Sequence, residues 1–157
     1  MRSAEPAPSC DVLPRDEVAM KRKPPARTAV TIISSDKDLM QLVGGGVEML
    51  DPIKNKAIGR DEVFEKFGVY PERVVDVQAL AGDPIDNVPG APGIGVKTAA
   101  QLIQEYGDLE TLLARADEIK QPKRRQTLID HADQIRISKR LVKLDCDMAL
   151  DFTLGSL

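Results

Sequence analysis

Hydrophobic and polar residues follow a readable pattern only from residue 29 onward. Residues 29–33 are apolar on both faces and rich in β-branched side chains, which predicts a buried strand that pairs in parallel. A Ser-Ser-Asp sequence at 34–36 then supplies N-cap chemistry for a short helix over 37–43. Residues 47–50 and 56–58 flank a turn and predict a small hairpin. A parallel strand needs a neighbour, and the pattern offers no second convincing one, so we expect the chain to hold the back half of a larger fold.

The rest of the pattern is helical. From residue 61 onward apolar residues recur three and four positions apart, and glycine or proline interrupts the recurrence at intervals. These interruptions predict helices over 61–67, 72–81, 96–106, 108–116, 123–132 and 134–142. We therefore predict an α/β fold that is mostly helical.

The first 28 residues differ from the remainder of the chain. They hold five of its 11 prolines, and no apolar period of 2 or 3.6 runs through them. Proline fixes φ and removes a backbone donor, which disfavours a packed helix or a central strand. We predict that residues 1–28 are disordered.

Composition excludes several classes of protein. The chain of 157 residues has no apolar run of about 18 residues, so we expect no membrane-spanning segment and no membrane partner. Its two cysteines, Cys10 and Cys146, are too few for a disulfide framework or a zinc site, which favours a reducing cytoplasm. A net charge of −3 argues weakly against a nucleic-acid partner.

The distribution of charge changes that last argument. Residues 123–143 carry seven basic residues against two acidic ones, a local balance of +5. Charged helix faces are usually only solvated. A second face that contacts phosphates, beginning at Lys123, Arg124 and Arg125, is the alternative, and the sequence leaves both open.

A glycine-rich loop precedes the helix predicted over 96–106. Gly93 and Gly95 bracket the apolar Ile94, and Lys97 and Thr98 stand in the first helical turn. Glycines let the backbone approach a ligand, and the unpaired N–H groups of a helix N-terminus attract anions. A plain connector is the alternative. No strand precedes the loop and no GxxxxGK[ST] is present, which excludes a dinucleotide fingerprint and a Walker loop, whereas the string hGhGxKTA between two helices favours a helix-hairpin-helix module that binds DNA backbone.

Two pairs of aspartates are candidate metal ligands. Asp36 and Asp38 directly follow the first strand, and Asp83 and Asp86 occupy a later turn. Ligand crevices open at the carboxyl ends of parallel strands, and oxygen-only ligands suit Mg²⁺ or Mn²⁺. Each pair alone is also explained by local capping, with Asp36 as an N-cap and Asp83 as a turn former. The nearby phosphate-binding loop favours the metal interpretation.

The sequences SSDKDLMQLV at 34–43 and ALAGDPIDNVPGAPGIGVKTAAQLI at 79–103 closely resemble the 5′→3′ exonuclease domain of bacterial DNA polymerase I, within the flap endonuclease superfamily. The resemblance runs from about residue 31 to residue 157. It implies an incomplete PIN-like domain over 29–81 and a subdomain over 82–157 that contains the helix-hairpin-helix. The family cleaves 5′ flaps and ends of duplex DNA, independent of sequence, by two-metal hydrolysis in the bacterial cytoplasm at the nucleoid.

Site residues carry over from this resemblance by position. Asp36, Asp38, Asp83 and Asp86 match metal ligands for Mg²⁺ or Mn²⁺. The turn Gly93, Ile94, Gly95 and Lys97 matches the element that holds the uncleaved duplex by its phosphates, and a K⁺ ion on backbone carbonyls near Ala91 and Ile94 is also implied.

The family's first half has no match in residues 1–28. That half supplies an early strand with an aspartate, a basic helical arch and a Glu-x-Asp-Asp cluster, none of which the segment contains. We therefore expect impaired hydrolysis by this chain alone. A non-catalytic helix-hairpin-helix module that binds DNA is the alternative function, and an unstable fragment is a third.

Overall fold

A computed structural model describes residues 29–149 and 151 of the chain. Residues 1–28, for which the sequence predicts disorder, lie outside the described residues. The strands are β1 (Val30–Ile33), β2 (Val47–Asp51) and β3 (Lys56–Ile58). The helices are α1 (Arg60–Phe67), α2 (Val74–Ala81), α3 (Val96–Tyr106), α4 (Leu109–Ala114), α5 (Pro122–Asp130) and α6 (Ala132–Val142), with short 3₁₀ helices at Lys37–Leu42, Pro71–Arg73 and Ala116–Glu118.

The three strands form one sheet in the order β1-β2-β3. β2 and β3 pair antiparallel, so the predicted hairpin is confirmed. β1 pairs in parallel with β2, with Val30 opposite Val47 and Ile33 opposite Leu50. The expectation that β1 has no partner strand in this chain was therefore wrong. Residues 34–46, which include the first 3₁₀ helix, are long enough for the crossover that a parallel pair requires.

The prediction that β1 is a buried strand was also wrong. Val30 is 44% exposed and Ile33 is 68% exposed, and of the strand's residues Ile32 is the one that packs against the core. Among the residues that the structure describes, β1 lies at the edge of the sheet and pairs with a neighbour along one side only. An apolar run indicates that burial is favourable, but burial also needs a covering layer, which the pattern cannot supply.

Helix α2 lies at the centre of the packing, against α3 and α6. It is apolar on nearly every side, as expected of an enclosed helix, and Val74, Val77 and Leu80 are completely buried. It also buries two polar side chains, Asp76 and Gln78. Asp76 is compensated, because Lys139 on α6 pairs with its carboxylate at 2.9 Å.

The helix bounds differ modestly from the predicted ones. The segment predicted over 108–116 divides into α4 and a 3₁₀ turn, and α5 and α6 are separated by His131 alone. In the part of the chain that the structure describes, no helix is long and apolar enough to cross a membrane. The division of the chain at residue 81 into two functional parts stays a prediction.

Candidate metal centre and nucleic-acid interface

Three aspartates from distant parts of the sequence meet beside the carboxyl end of β1. Asp38 lies in the first turn of the 3₁₀ helix that follows β1, and Asp83 and Asp86 lie in the loop that follows α2. One carboxylate oxygen from each of the three lies within 4.8 Å of the other two. The structure thus brings together three of the four predicted metal ligands.

Asp36, the fourth predicted ligand, is not part of this group. Its exposed carboxylate accepts a hydrogen bond from the backbone N–H of Asp38 at 2.9 Å and caps the 3₁₀ helix. Asp36 therefore serves as an N-cap, which is the alternative to metal binding that the sequence left open. Asp83 also has a local bond, from the N–H of Ile85 at 3.0 Å, yet its carboxylate remains within the acidic group.

The loop that carries Asp83 and Asp86 is held by its own backbone. Asp83 and Val88 exchange two N–H···O bonds of 2.8 Å, which close a tight turn. Asn87 within that turn adopts φ of +55°, a conformation that asparagine tolerates better than most residues. The short loop places Asp83, which is buried, and Asp86, which is exposed, on the same side.

The charges of the three acids are only partly balanced. Lys37 forms an ion pair with Asp83, which raises the pKa of Lys37 and, together with the Ile85 N–H, lowers the pKa of Asp83. Loss of hydration and the neighbouring charges of Asp83 and Asp38 raise the pKa of Asp86. Like-charged carboxylates at this spacing are stabilised by a cation between them. An oxygen-only donor set with unbalanced negative charge fits a hard divalent cation such as Mg²⁺ or Mn²⁺.

Gln78 is a residue of this site that the sequence did not reveal. It lies in α2 and is 4% exposed, and its side-chain Nε2 donates a hydrogen bond to Oδ1 of Asp38. The only signal in the sequence is a single amide within the apolar string of α2, and 40 residues separate Gln78 from its partner. Residues this far apart share no local pattern, and their contact is set by how the elements pack.

The glycine-rich turn is anchored in the core. Ile94 is 4% exposed, as predicted for an apolar anchor, and its N–H donates to the carbonyl oxygen of Ala91 at 3.1 Å. The N–H of Ala91 donates in turn to the carbonyl oxygen of Leu80 at the end of α2. Gly93 adopts φ of +75° with open space around it. The turn is therefore rigid at its base and open at its tip.

Helix α3 begins directly after this turn. Gly95 is its N-cap and provides no side-chain hydrogen bond, so the first N–H groups of α3 have no side-chain cap. Lys97 is exposed in the first turn, and Thr98 beside it is half-buried. The arrangement is typical of a site that accepts an anion.

The turn is also tied to α6 by contacts that the sequence did not predict. The N–H of Gly90 donates to Oγ of Ser138 at 3.1 Å, and the carbonyl oxygen of Gly90 accepts from Gln134 at 2.8 Å. Gly90 lies against the backbone of Gly82, and a Cβ added at Gly90 would lie 2.4 Å from the Gly82 nitrogen. Both glycines adopt positive φ, so no other residue fits this close approach.

The basic residues of α5 lie away from the turn. Arg124 lines a cavity of about 360 Å³ with Gln101, Glu105 and Tyr106 of α3. These α3 residues lie four to nine positions beyond Lys97, which is roughly 6–14 Å along the helix axis. Lys123 is exposed and Arg125 donates to the Asp117 carbonyl oxygen at 3.4 Å.

Part of the basic stretch over 123–143 is used within the fold. Arg136 pairs with Glu110 at 3.1 Å and with Asp133 at 3.3 Å, and Lys139 pairs with Asp76. Glu110 and Asp76 lie outside residues 123–143 and are not counted in the local balance of +5, so that balance overstates the positive charge of this face.

Comparison with known proteins places the chain in a family. A family model described as "5'-3' exonuclease, C-terminal SAM fold" matches residues 69–157. The chain belongs to this 5′-3′ exonuclease family. DNA polymerase I of Rhizobium leguminosarum is 59% identical over 128 residues, which cover 82% of this chain and 13% of that protein. The 5'-3' exonuclease of Aquifex aeolicus is 36% identical over 124 residues, which cover 79% of this chain and 42% of that protein.

Two solved structures of 5′ nucleases have folds similar to that of this chain. A mutant 5'-exonuclease of bacteriophage T5 matches with a TM-score of 0.67 at 24% identity, over 73% of this chain and 47% of that one. The T5 flap endonuclease in a complex with DNA and metal ions matches with a TM-score of 0.68 at 23% identity, over 73% of this chain and 42% of that one. The predicted relationship to the 5′-3′ exonuclease domain of DNA polymerase I and the predicted fold class are confirmed, and the chain spans less than half the length of the relatives described.

Proposed function

We propose that this 5′-3′ exonuclease family chain binds duplex DNA through the turn at Gly93–Lys97 and holds a divalent cation at Asp38, Asp83 and Asp86. The observation that carries the proposal is the convergence of three carboxylates at one end of the loop whose other end is the anion-accepting turn. A relative named 5'-3' exonuclease, and a structural neighbour in complex with DNA and metal ions, support it. A bound Mg²⁺ or Mn²⁺ would activate water and stabilise a leaving oxygen.

The chain's own residues have separate roles in this proposal. The uncapped N–H groups at the start of α3 and the Lys97 ammonium bind backbone phosphates, with Thr98 as a further donor. Neither contact reads a base, so binding is independent of sequence. A K⁺ ion on the carbonyl oxygens of Ala91 and Ile94, and phosphate contacts from Lys123, Arg124 and Arg125, are further parts of the proposal.

The close contact of Gly82 with Gly90 links the acidic group to the turn at Gly93–Lys97. It fixes the loop that carries Asp83 and Asp86 against the base of the DNA-binding turn. A duplex held at the turn is thereby positioned at a set distance from the acids. We propose that the substrate is duplex DNA with a 5′ flap or end, in the bacterial cytoplasm at the nucleoid.

A non-catalytic DNA-binding module is the second candidate. Hydrolysis with two metals requires two sets of ligands, and within residues 29–149 and 151 a single group of acids converges. This favours binding without efficient cleavage by the chain alone.

Fluorescence anisotropy with a labelled 5′-flap duplex tests the proposal. Lys97→Glu is expected to weaken binding at low salt and to lower the slope of log affinity against log salt by about 1, because one phosphate contact is lost. Lys56→Glu on β3, where Lys56 pairs with Glu65 at 3.7 Å, makes the same change in net charge outside the turn sequence and is the control. Equal losses in the two variants would assign the effect to net charge and refute the contact. Cleavage of the same duplex with Mg²⁺ would identify an enzyme, and binding without cleavage would identify the module.

A further inference from the structure

Gln78 is a buried amide next to the acidic group. Apolar side chains surround it in α2, and burying an amide there is unfavourable unless its polar atoms are paired. Its Nε2 donates to Oδ1 of Asp38. Its Oε1 is buried and has no hydrogen-bond partner among the described residues.

A buried amide whose nitrogen is paired and whose oxygen is not does not favour the stability of the fold. A methionine would fill a similar volume without burying an oxygen that has no partner. The opposite orientation of the amide would place its oxygen against a carboxylate oxygen of Asp38, so the donating orientation is the favourable one. Among the described residues, the favourable polar contact of the Gln78 side chain is therefore its hydrogen bond to Asp38.

Gln78 also connects the two acidic segments. Its side chain binds Asp38, and its backbone carbonyl oxygen accepts from the N–H of Gly82, immediately before Asp83, at 2.8 Å. Asp38 is only half-buried at the start of a 3₁₀ helix, where a carboxylate can turn toward water. The same helix therefore contacts Asp38 through the Gln78 side chain and leads through its C-cap, Gly82, directly into Asp83.

We propose that Gln78 is a positioning residue, which orients the Asp38 carboxylate so that it and Asp83 and Asp86 bind one divalent cation. This inference rests on the proposed metal site. Residues that hydrogen-bond to a metal ligand and orient it contribute strongly to metal affinity, and their removal typically weakens metal binding by about 10- to 100-fold.

Titration of the full chain with Mn²⁺, followed by the loss of the free-ion electron paramagnetic resonance signal, measures this contribution. Gln78→Met is expected to raise the dissociation constant for Mn²⁺ by about 10- to 100-fold. Its thermal midpoint without metal is expected to stay the same or rise, because the unpaired buried oxygen is removed. A merely structural residue would show the reverse pattern, with a lower midpoint and unchanged Mn²⁺ affinity.

Gln41→Met is the matched control. Gln41 is also a buried glutamine, but its amide nitrogen donates to the carbonyl oxygen of Val142, the last residue of α6, and its amide oxygen accepts from the N–H of Leu144 just beyond that helix. This variant is expected to lower the thermal midpoint and to bind Mn²⁺ as the wild type does.

The outcomes are separable. Wild-type Mn²⁺ affinity in Gln78→Met would overturn this inference and leave the metal site standing, whereas a wild-type chain that binds no Mn²⁺ would refute the metal site itself. If Gln78→Met does not fold, Gln78→Asn, whose amide is one methylene too short to reach Asp38, is expected to show the same loss of Mn²⁺ affinity. Failure of both variants to fold would mark Gln78 as structural and overturn the inference.

Discussion

Gly90→Ala is expected to be among the most destabilising single-methyl additions in this fold. Gly90 adopts φ of +60°, and a Cβ there would lie 2.4 Å from the nitrogen of Gly82 and 2.6 Å from its Cα. Both atoms belong to the backbone at the end of α2, so they cannot rotate away as a side chain would. To admit the methyl group, the turn must separate from α2.

The magnitude has two parts. An alanine in the left-handed region costs about 1–2 kcal/mol relative to glycine. Separation of the turn also strains the bonds of Gly90 to Ser138 and Gln134, which contribute about 1 kcal/mol each. The expected loss in the free energy of unfolding is about 3–4 kcal/mol, a large share of the roughly 5–15 kcal/mol of a typical domain.

Gly93→Ala separates the two parts. Gly93 lies in the same loop with φ of +75°, but nothing lies within 4 Å of the added Cβ, so only the backbone strain of about 1–2 kcal/mol applies. Urea unfolding followed by circular dichroism should give a midpoint for Gly90→Ala that is about 0.7–2 M below that of Gly93→Ala. Equal midpoints in the two variants would show that the Gly82–Gly90 approach relaxes at little cost and would refute the reasoning.

Two further predictions concern the same region. The pKa of Asp83 in the metal-free fold is lowered from its ordinary value of 3.8, so its ionised form stabilises the fold above that value and the stability is lost as pH falls through the lower folded pKa. The urea midpoint should therefore fall as pH drops below about 4, and a Lys37→Met variant, which lacks the ion pair, should fall less steeply; parallel curves would contradict this. Ser138→Ala leaves the buried N–H of Gly90 unpaired and should lower the free energy of unfolding by about 1–3 kcal/mol, measured in the same assay, whereas a loss below about 0.5 kcal/mol would show that the N–H finds another partner.

Local chemistry decided most of the elements. The helix bounds of α1 and α3 agree closely with the glycines and periodicity that predicted them, because caps and apolar spacing act within a few residues. The buried Ile94 between two glycines was likewise expected from its neighbours alone. Strand pairing was harder to predict. A 3₁₀ helix separates β1 from β2 in the sequence, and the residues of β2, which pairs with β3 on one side, do not show that β2 also pairs with β1 on the other side.

Within the site, the four aspartates show the same difference between what local sequence decides and what tertiary packing decides. The sequence identified all four aspartates as candidates and also stated the capping alternative for each pair. It could not tell Asp36 from Asp38, because both follow the strand and differ only in where their carboxylates point. That direction is set by the 3₁₀ turn, in which Asp36 caps and Asp38 turns toward the loop after α2.

By itself, the sequence determined the glycine-rich turn, the helix that follows it and the residue types suited to a hard cation and to phosphate. Only the tertiary structure decided which three acids meet, that Lys37 pairs with Asp83, that Gln78 supports Asp38 and that Ser138 holds Gly90. The physical reason is distance along the chain. Propensity and capping depend on neighbours within about one helical turn, whereas contacts between residues 40 or more positions apart depend on how the elements pack.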